Sequence, residues 1–199
     1  MSKFHNDIEY LYKSKKFSMQ KVADKLSISI WAVVYQMRKA NIKRRDRFEI
    51  QKLRFANKKP SFNLKLSLNK EEEQLKIIAS MLYWAEGVKR GSEFVDFVNS
   101  DVKMILLFLQ SLRKVYRINE SKLRVLLYCY KNQNPDELIG YWSEILSINR
   151  DQFTKPYIRE NYDPKNIGRM KYGVIHLRYY DKKLLMQIMH EVDIITKTF

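Results

Sequence analysis

Residues Lys122–Lys131 alternate strictly, and that alternation narrows the folds open to the chain more than any other stretch. Leu123, Val125, Leu127 and Cys129 fall on one side, and Lys122, Arg124, Tyr128 and Tyr130 on the other. Successive side chains of a strand point to opposite faces, so a period of two predicts a strand with one face on a core. Tyr172–Tyr180 repeats the pattern, with Ile175, Leu177 and Tyr179 inward and His176, Arg178 and Tyr180 outward. Thr154–Glu160 places Lys155, Tyr157 and Arg159 on a shared face, and EFVDFVNS at 93–100 reads as a short, mostly buried strand. Helical spacing fills the gaps. One helix opens at Asn99–Ser100–Asp101, one runs from about Pro135 to Ser147, and one from about Asp181 to Ile195. The pattern predicts an α+β domain with helices on one face of a sheet. The other face carries Lys, Arg, His and Tyr with almost no acid, which suits a phosphate backbone and groove edges.

The charge is unevenly divided. The chain carries a net +16, of which residues 1–70 supply +13 and residues 71–199 supply +3. A basic N-terminal module joined to a nearly balanced domain predicts a polyanionic partner, above all nucleic acid. Apolar residues make up 45% of the chain and there are only five glycines and four prolines, so a folded chain is expected rather than a disordered one. The single cysteine, Cys129, excludes an intramolecular disulfide, and three scattered histidines give no zinc-ligand spacing. There is no phosphate loop, nucleophile elbow or Cys–His pair, which argues against small-molecule enzymes of those classes. No signal peptide, bilayer-length apolar run or basic amphipathic helix is present. A cytoplasmic, nucleoid-associated protein without a membrane partner is expected.

The first 45 residues read as a helix-turn-helix. Ile8, Leu11 and Tyr12 begin a short helix; Ser18 caps a second, SMQKVADKL, with Val22, Ala23 and Leu26 inward. Ser27–Ile28 turns the chain, and Ser29 caps the helix IWAVVYQMRKA, whose Val33 and Met37 bury against the second. The third helix is the one expected in the major groove, with Ser29, Trp31, Tyr35 and Gln36 toward base edges. Arg38, Lys39, Lys43, Arg44 and Arg45 are placed for phosphates, which position without specifying. Residues 46–68 read as a basic linker broken by Pro60, and 69–199 as the second domain.

That domain opens with the helix ending LKIIASMLYWAEGVKR, capped by Asn69 with Glu72 three residues on and stopped by Gly87. Glu86 is thereby held at a helix C-terminus, where carbonyl dipoles disfavour a carboxylate unless a cation neutralises it, so it is a metal-ligand candidate. Within this helix, Ala79–Gly87, ASMLYWAEG, resembles the motif of the LAGLIDADG homing endonucleases. Leu82, Ala85 and Gly87 match by identity and Glu86 stands at the final acid, while Met81 replaces a small glycine and Trp84 the first acid. The resemblance extends over Asn69–Phe199 through the order of elements and the cationic strand faces, with one extra helix between the middle strands.

The resemblance implies an antiparallel four-stranded saddle sheet on double-stranded DNA, with the motif helix behind it. It implies a homodimer whose motif helices meet through Ala79, Met81, Leu82 and Ala85, and Mg²⁺ or another divalent cation held by Glu86 for phosphodiester hydrolysis. Lys171 and Lys89 are the candidate cations for transition-state charge, and Arg90 joins Lys122, Arg124, Tyr128, Tyr130, Lys155, Tyr157, Arg159, His176, Arg178 and Tyr180 as DNA contacts. Two alternatives share the architecture: a transcriptional regulator that binds without cutting, and a maturase that binds RNA.

Overall fold

Two serines start the two helices on which the N-terminal part of the chain turns. In the computed structural model, which describes residues 4–160 and 170–197, the chain forms two units, Met1–Lys59 and Pro60–Phe199. In the first, α1 (His5–Glu9) runs into a π-helical turn (Tyr10–Ser14), followed by α2 (Met19–Leu26), α3 (Ile30–Lys39) and α4 (Arg47–Asn57). Ser18 Oγ accepts from the Lys21 amide at 3.1 Å and Ser29 Oγ from the Ala32 amide at 3.1 Å. Each satisfies a donor that a helix start leaves unpaired. Ser27, at φ +54°, makes the left-handed turn between them. Ile8, Tyr12, Val22, Ala23, Val33, Met37 and Ile42 form the core.

The linker expected over 46–68 is ordered structure instead. Asp46 and Glu49 form a reciprocal capping box, with the Glu49 amide donating to Asp46 Oδ1 at 2.8 Å and the Asp46 amide to Glu49 Oε2 at 3.2 Å. Beyond Pro60 the chain belongs to the second unit. The Asn63 amide donates to the Tyr116 carbonyl at 3.0 Å and the Lys65 amide to that of Val115 at 2.9 Å. Phe62, Leu64 and Leu68 pack on that unit's core.

The Ser61 amide and hydroxyl both donate to Asp181 Oδ2, at 2.7 and 2.6 Å, beneath a nearly closed surface. Burial acts to raise this carboxyl, but the donors from Ser61 and the Lys183 amide outweigh it and hold the group below its ordinary value. A depressed carboxyl contributes stability that is present above its unfolded pKa of about 3.9 and lost as the pH falls through the folded value. Asp181→Asn is therefore expected to melt below the wild type at neutral pH and to converge on it in acid. A melting difference that persists unchanged in acid would rule out an ionised Asp181 as the anchor.

The second unit runs α5 (Lys70–Glu86), β1 (Val95–Asn99), α6 (Val102–Lys114), β2 (Leu123–Tyr130), α7 (Pro135–Leu146), β3 (Phe153–Arg159), β4 (Val174–Tyr179) and α8 (Lys182–Lys197). The sheet order is β1-β4-β2-β3. β4 is antiparallel to both neighbours, but β2 and β3 are parallel, so the antiparallel saddle is corrected to a mixed open sheet. The reason lies in α7. A hairpin would reverse the chain, whereas a helical crossover brings it back to start β3 in the direction of β2.

The inward faces follow the alternation: Val95, Phe97, Leu123, Val125, Leu127, Ile175, Leu177 and Tyr179 are fully buried against Tyr83, Phe108, Leu112, Trp142 and Leu184. Edge strand β3 departs from it. Leu126 pairs with Thr154 and Tyr128 with Tyr157, so Lys155 and Pro156 together oppose Leu127 in a bulge. Proline lacks the amide a regular ladder needs and is tolerated at such a position. Lys155 thus sits in the bulge rather than in strict phase with Tyr157 and Arg159.

Away from the sheet, Glu191 of α8 is buried. It accepts from the Tyr116 hydroxyl, from Gln187 Nε2 at 2.8 Å and from Ser80 Oγ at 3.4 Å, with Lys76 Nζ at 3.3 Å. Among the described residues no helix is long and apolar enough to cross a membrane.

Candidate nucleic-acid interface

The outer face of the sheet is organised around the one acid its four strands contain. Asp96 pairs in register with Arg178, which pairs with Arg124, making a row across β1, β4 and β2. Arg178 Nε donates to Asp96 Oδ2 at 3.0 Å and His176 Nδ1 lies 3.0 Å from Oδ1. The Asp96 side chain is only 7% exposed, so this charge is spent on its two partners rather than turned to an incoming anion. Asp96 was not among the residues singled out from sequence. Its signal was an acid between Val95 and Phe97, out of phase with the buried positions.

A column of rings crosses the same face. Tyr157 meets Tyr128 at 4.7 Å between centroids, and Tyr128 meets His176 at 4.5 Å, each pair tilted by about 35°. Phe94 and Tyr180 pair at 4.7 Å, with the Arg178 guanidinium 5.8 Å from the Phe94 centroid. Lys155, Tyr157 and Arg159 are exposed. Arg124 Nη1 donates to the Ser121 and Leu123 carbonyls, both at 2.7 Å, which fixes the guanidinium at the start of β2. Lys122 lies in the 3₁₀ turn before that strand.

In the N-terminal unit, Trp31 is 78% and Tyr35 64% exposed, one turn apart on α3. Both rings lie in water on one helix face and take no part in the core. Ser29 is occupied as the cap of α3, and Gln36 turns its Oε1 inward, where it is buried without a partner. Arg38, Lys39, Lys43 and Arg44 are exposed. Arg45 is not available to a phosphate. Its guanidinium donates to the Phe17 carbonyl at 2.8 Å and to that of Tyr12, and lies 4.0 Å from the Tyr12 ring centroid.

Glu86 is exposed as the last residue of α5. Gly87 bridges Phe97, and the Val88 amide donates to the Asp96 carbonyl at 2.9 Å, so the helix end is tied to the free edge of β1. A Cβ on Gly87 would meet the Tyr83 carbonyl oxygen at 2.5 Å, which is why glycine stands there. Lys89 Nζ donates to the Trp84 carbonyl at 2.6 Å, neutralising the helix terminus itself. The Lys171 amine lies 5.0 Å from the Tyr172 ring, and no hydrogen bond or ion pair joins it to Glu86. Arg90 is exposed in the loop after Lys89. Among the described residues no three His, Cys, Asp or Glu side chains converge. Of the residues expected at a dimer contact, Ala79 lies in the protomer's own core and Leu82 packs partly against it. Ala85 is exposed and Met81 half-buried on the outer side of α5, beside exposed Ile77, Ile78 and Trp84.

Compared with known proteins, the chain matches no family model, no curated protein and no solved structure.

Proposed function

We propose that the protein binds double-stranded DNA, through α3 of the N-terminal unit and the outer face of the mixed sheet. The carrying observation is the charge of that face: its single acid, Asp96, is paired with Arg178 and His176, leaving Lys155 and Arg159 exposed to a polyanion, with Arg124 held to carbonyls through Nη1 alone. Trp31 and Tyr35 supply the base-edge contacts of α3, and Arg38, Lys39, Lys43 and Arg44 the phosphate contacts. The reading includes a homodimer formed over Ile77, Ile78, Met81 and Ala85 of α5.

Cleavage is part of the same proposal. One exposed carboxylate fits Mg²⁺, which binds through one or two carboxylates and substrate phosphates while keeping several waters. Glu86 would hold it, and the ion would supply an activated water and neutralise charge on the phosphodiester. The second reading is a regulator that binds without cutting. It is favoured by the lack of any cluster of three metal-ligating side chains among the described residues, and by Trp84 at the motif's other acidic position.

Incubation of a randomised duplex library with Mg²⁺ separates them. Discrete cuts by the wild type, lost by at least a hundredfold in Glu86→Gln with duplex affinity retained, are expected for the endonuclease; about that loss corresponds to 2.7 kcal/mol of barrier. Salt-sensitive binding without cuts by either protein would establish the regulator. Cuts that Glu86→Gln makes as well as the wild type would remove Glu86 from the reaction.

A further inference from the structure

The aromatic column on the sheet ends in an open ring. His176, Tyr128 and Tyr157 follow one another in tilted ring contacts across β4, β2 and β3, and β3 is the edge of the sheet. Tyr128 and His176 are half-buried within the column, whereas Tyr157 is 54% exposed. Among the described residues Tyr128 is the one ring in contact with it, tilted at 35°, and no other ring meets the face of Tyr157 away from Tyr128. On either side along β3 stand Lys155, in the bulge, and Arg159, in phase with Tyr157, both exposed. At about 3.3 Å per residue they lie on the order of 13 Å apart, with the open ring between them.

A base pair within a duplex has both faces covered by its neighbours and offers only its groove edges. An unpaired base offers a face. An exposed ring flanked by cations is the combination that holds single strands, with stacking for the base and charge for the phosphates on either side. The bulge strengthens the match. It lifts Lys155 out of phase with the tyrosine, so the cation is not confined to the row that the rings occupy.

We propose that β3 carries a subsite for an unpaired nucleotide, with the base stacked on Tyr157 and its adjoining phosphates held by Lys155 and Arg159. This rests on the reading that the sheet faces nucleic acid, and it adds to that face, at its β3 edge, a place for a single-stranded or locally opened segment. Deoxyribose and ribose strands share this chemistry, so the source of the strand is decided by experiment.

The test is fluorescence anisotropy of labelled thymidine and uridine homopolymers and of a hairpin duplex, with wild type, Tyr157→Ala and Tyr157→Phe. Tyr157 is exposed, so neither variant endangers the fold. The wild type is expected to bind the single strands. Tyr157→Ala should weaken that binding on the order of tenfold and duplex binding by clearly less, with Tyr157→Phe retaining both. Preference for the thymidine or the uridine strand then names DNA or RNA as the source. The subsite is overturned if Tyr157→Ala binds single strands as well as wild type does, or if it loses duplex and single strand equally. Both of those outcomes leave the duplex-binding reading standing. Failure of the wild type to bind any of the three nucleic acids overturns that reading and the subsite together.

Discussion

Glu191→Ala is expected to lower the stability of the second unit by about 3 kcal/mol. The carboxylate is buried and collects four partners, Tyr116, Gln187, Ser80 and Lys76, from three separate parts of the chain. Its removal takes the carboxylate acceptor away from the fully buried Tyr116 hydroxyl. That hydroxyl cannot escape by ionising, since burial and then the neighbouring Glu191 charge push its pKa far up. Lys76 is better off, because at 31% exposure it can turn to water. The loss is therefore that of a buried acceptor and a cavity more than of an ion pair. Urea titration followed by Trp142, which is buried in the same core, measures it. Glu191→Gln, which still accepts from Tyr116, should keep most of the stability, and combining Glu191→Leu with Tyr116→Phe should recover much of it. An alanine variant with the wild-type midpoint would refute the account.

The second large effect concerns affinity. Converting Arg124, Lys155 and Arg159 together to glutamine is expected to weaken duplex binding by about a hundredfold or more near physiological salt. Each phosphate contact contributes about 0.9 to the slope of log affinity against log salt, so the triple variant should show a slope shallower by roughly 2 to 3. The salt series matters more than the single affinity. Residues that read bases change sequence preference, whereas residues that neutralise phosphates change the slope. Trp31→Ala and Tyr35→Ala on α3 should accordingly reduce discrimination between sequences and leave the slope nearly intact. An unchanged slope in the triple variant would show that the sheet face does not meet the phosphate backbone.

What the chain announced in advance follows from where its signals are local. β2 and β4 were legible because each has one wet and one dry face, and period two has no other reading. The N-terminal helices α2 and α3 were legible because both caps, Ser18 and Ser29, lie within a residue of the helices they start. β3 was legible as a strand but not in phase, because the bulge at Lys155–Pro156 exists only against Leu127, a residue distant in sequence. The parallel pairing of β2 and β3 was missed although its cause, the helix between them, was identified. Within the stretch read as a linker, the local signal that starts α4 is the capping pair Asp46 and Glu49. At the site, the outward positions of Tyr128, Tyr157, His176 and Arg178 were correct in kind, while Asp96, which anchors two of them, lay hidden in a strand read as apolar. Arg45 shows the converse: one cation among neighbours of the same type turned inward for partners at Tyr12 and Phe17 that no spacing rule reveals.

The place of β4 has a consequence for synthesis on the ribosome. It is the last strand to be made, yet it lies between β1 and β2 and supplies the ladder bonds of both. Until Val174–Tyr179 has emerged, β1 has no neighbouring strand to join it to the rest of the sheet, and β2, α7 and β3 can assemble only as a separate local piece. The nascent second unit must therefore carry the β4-side edge of β1 unpaired over some 75 residues of elongation and that of β2 over some 44, at roughly 5 to 20 residues per second. The N-terminal unit, whose core is drawn entirely from residues 8–42, has no such wait. It can be complete while the sheet is still in two parts, and a chain halted before β4 would be left with an intact helical head on an unfinished body.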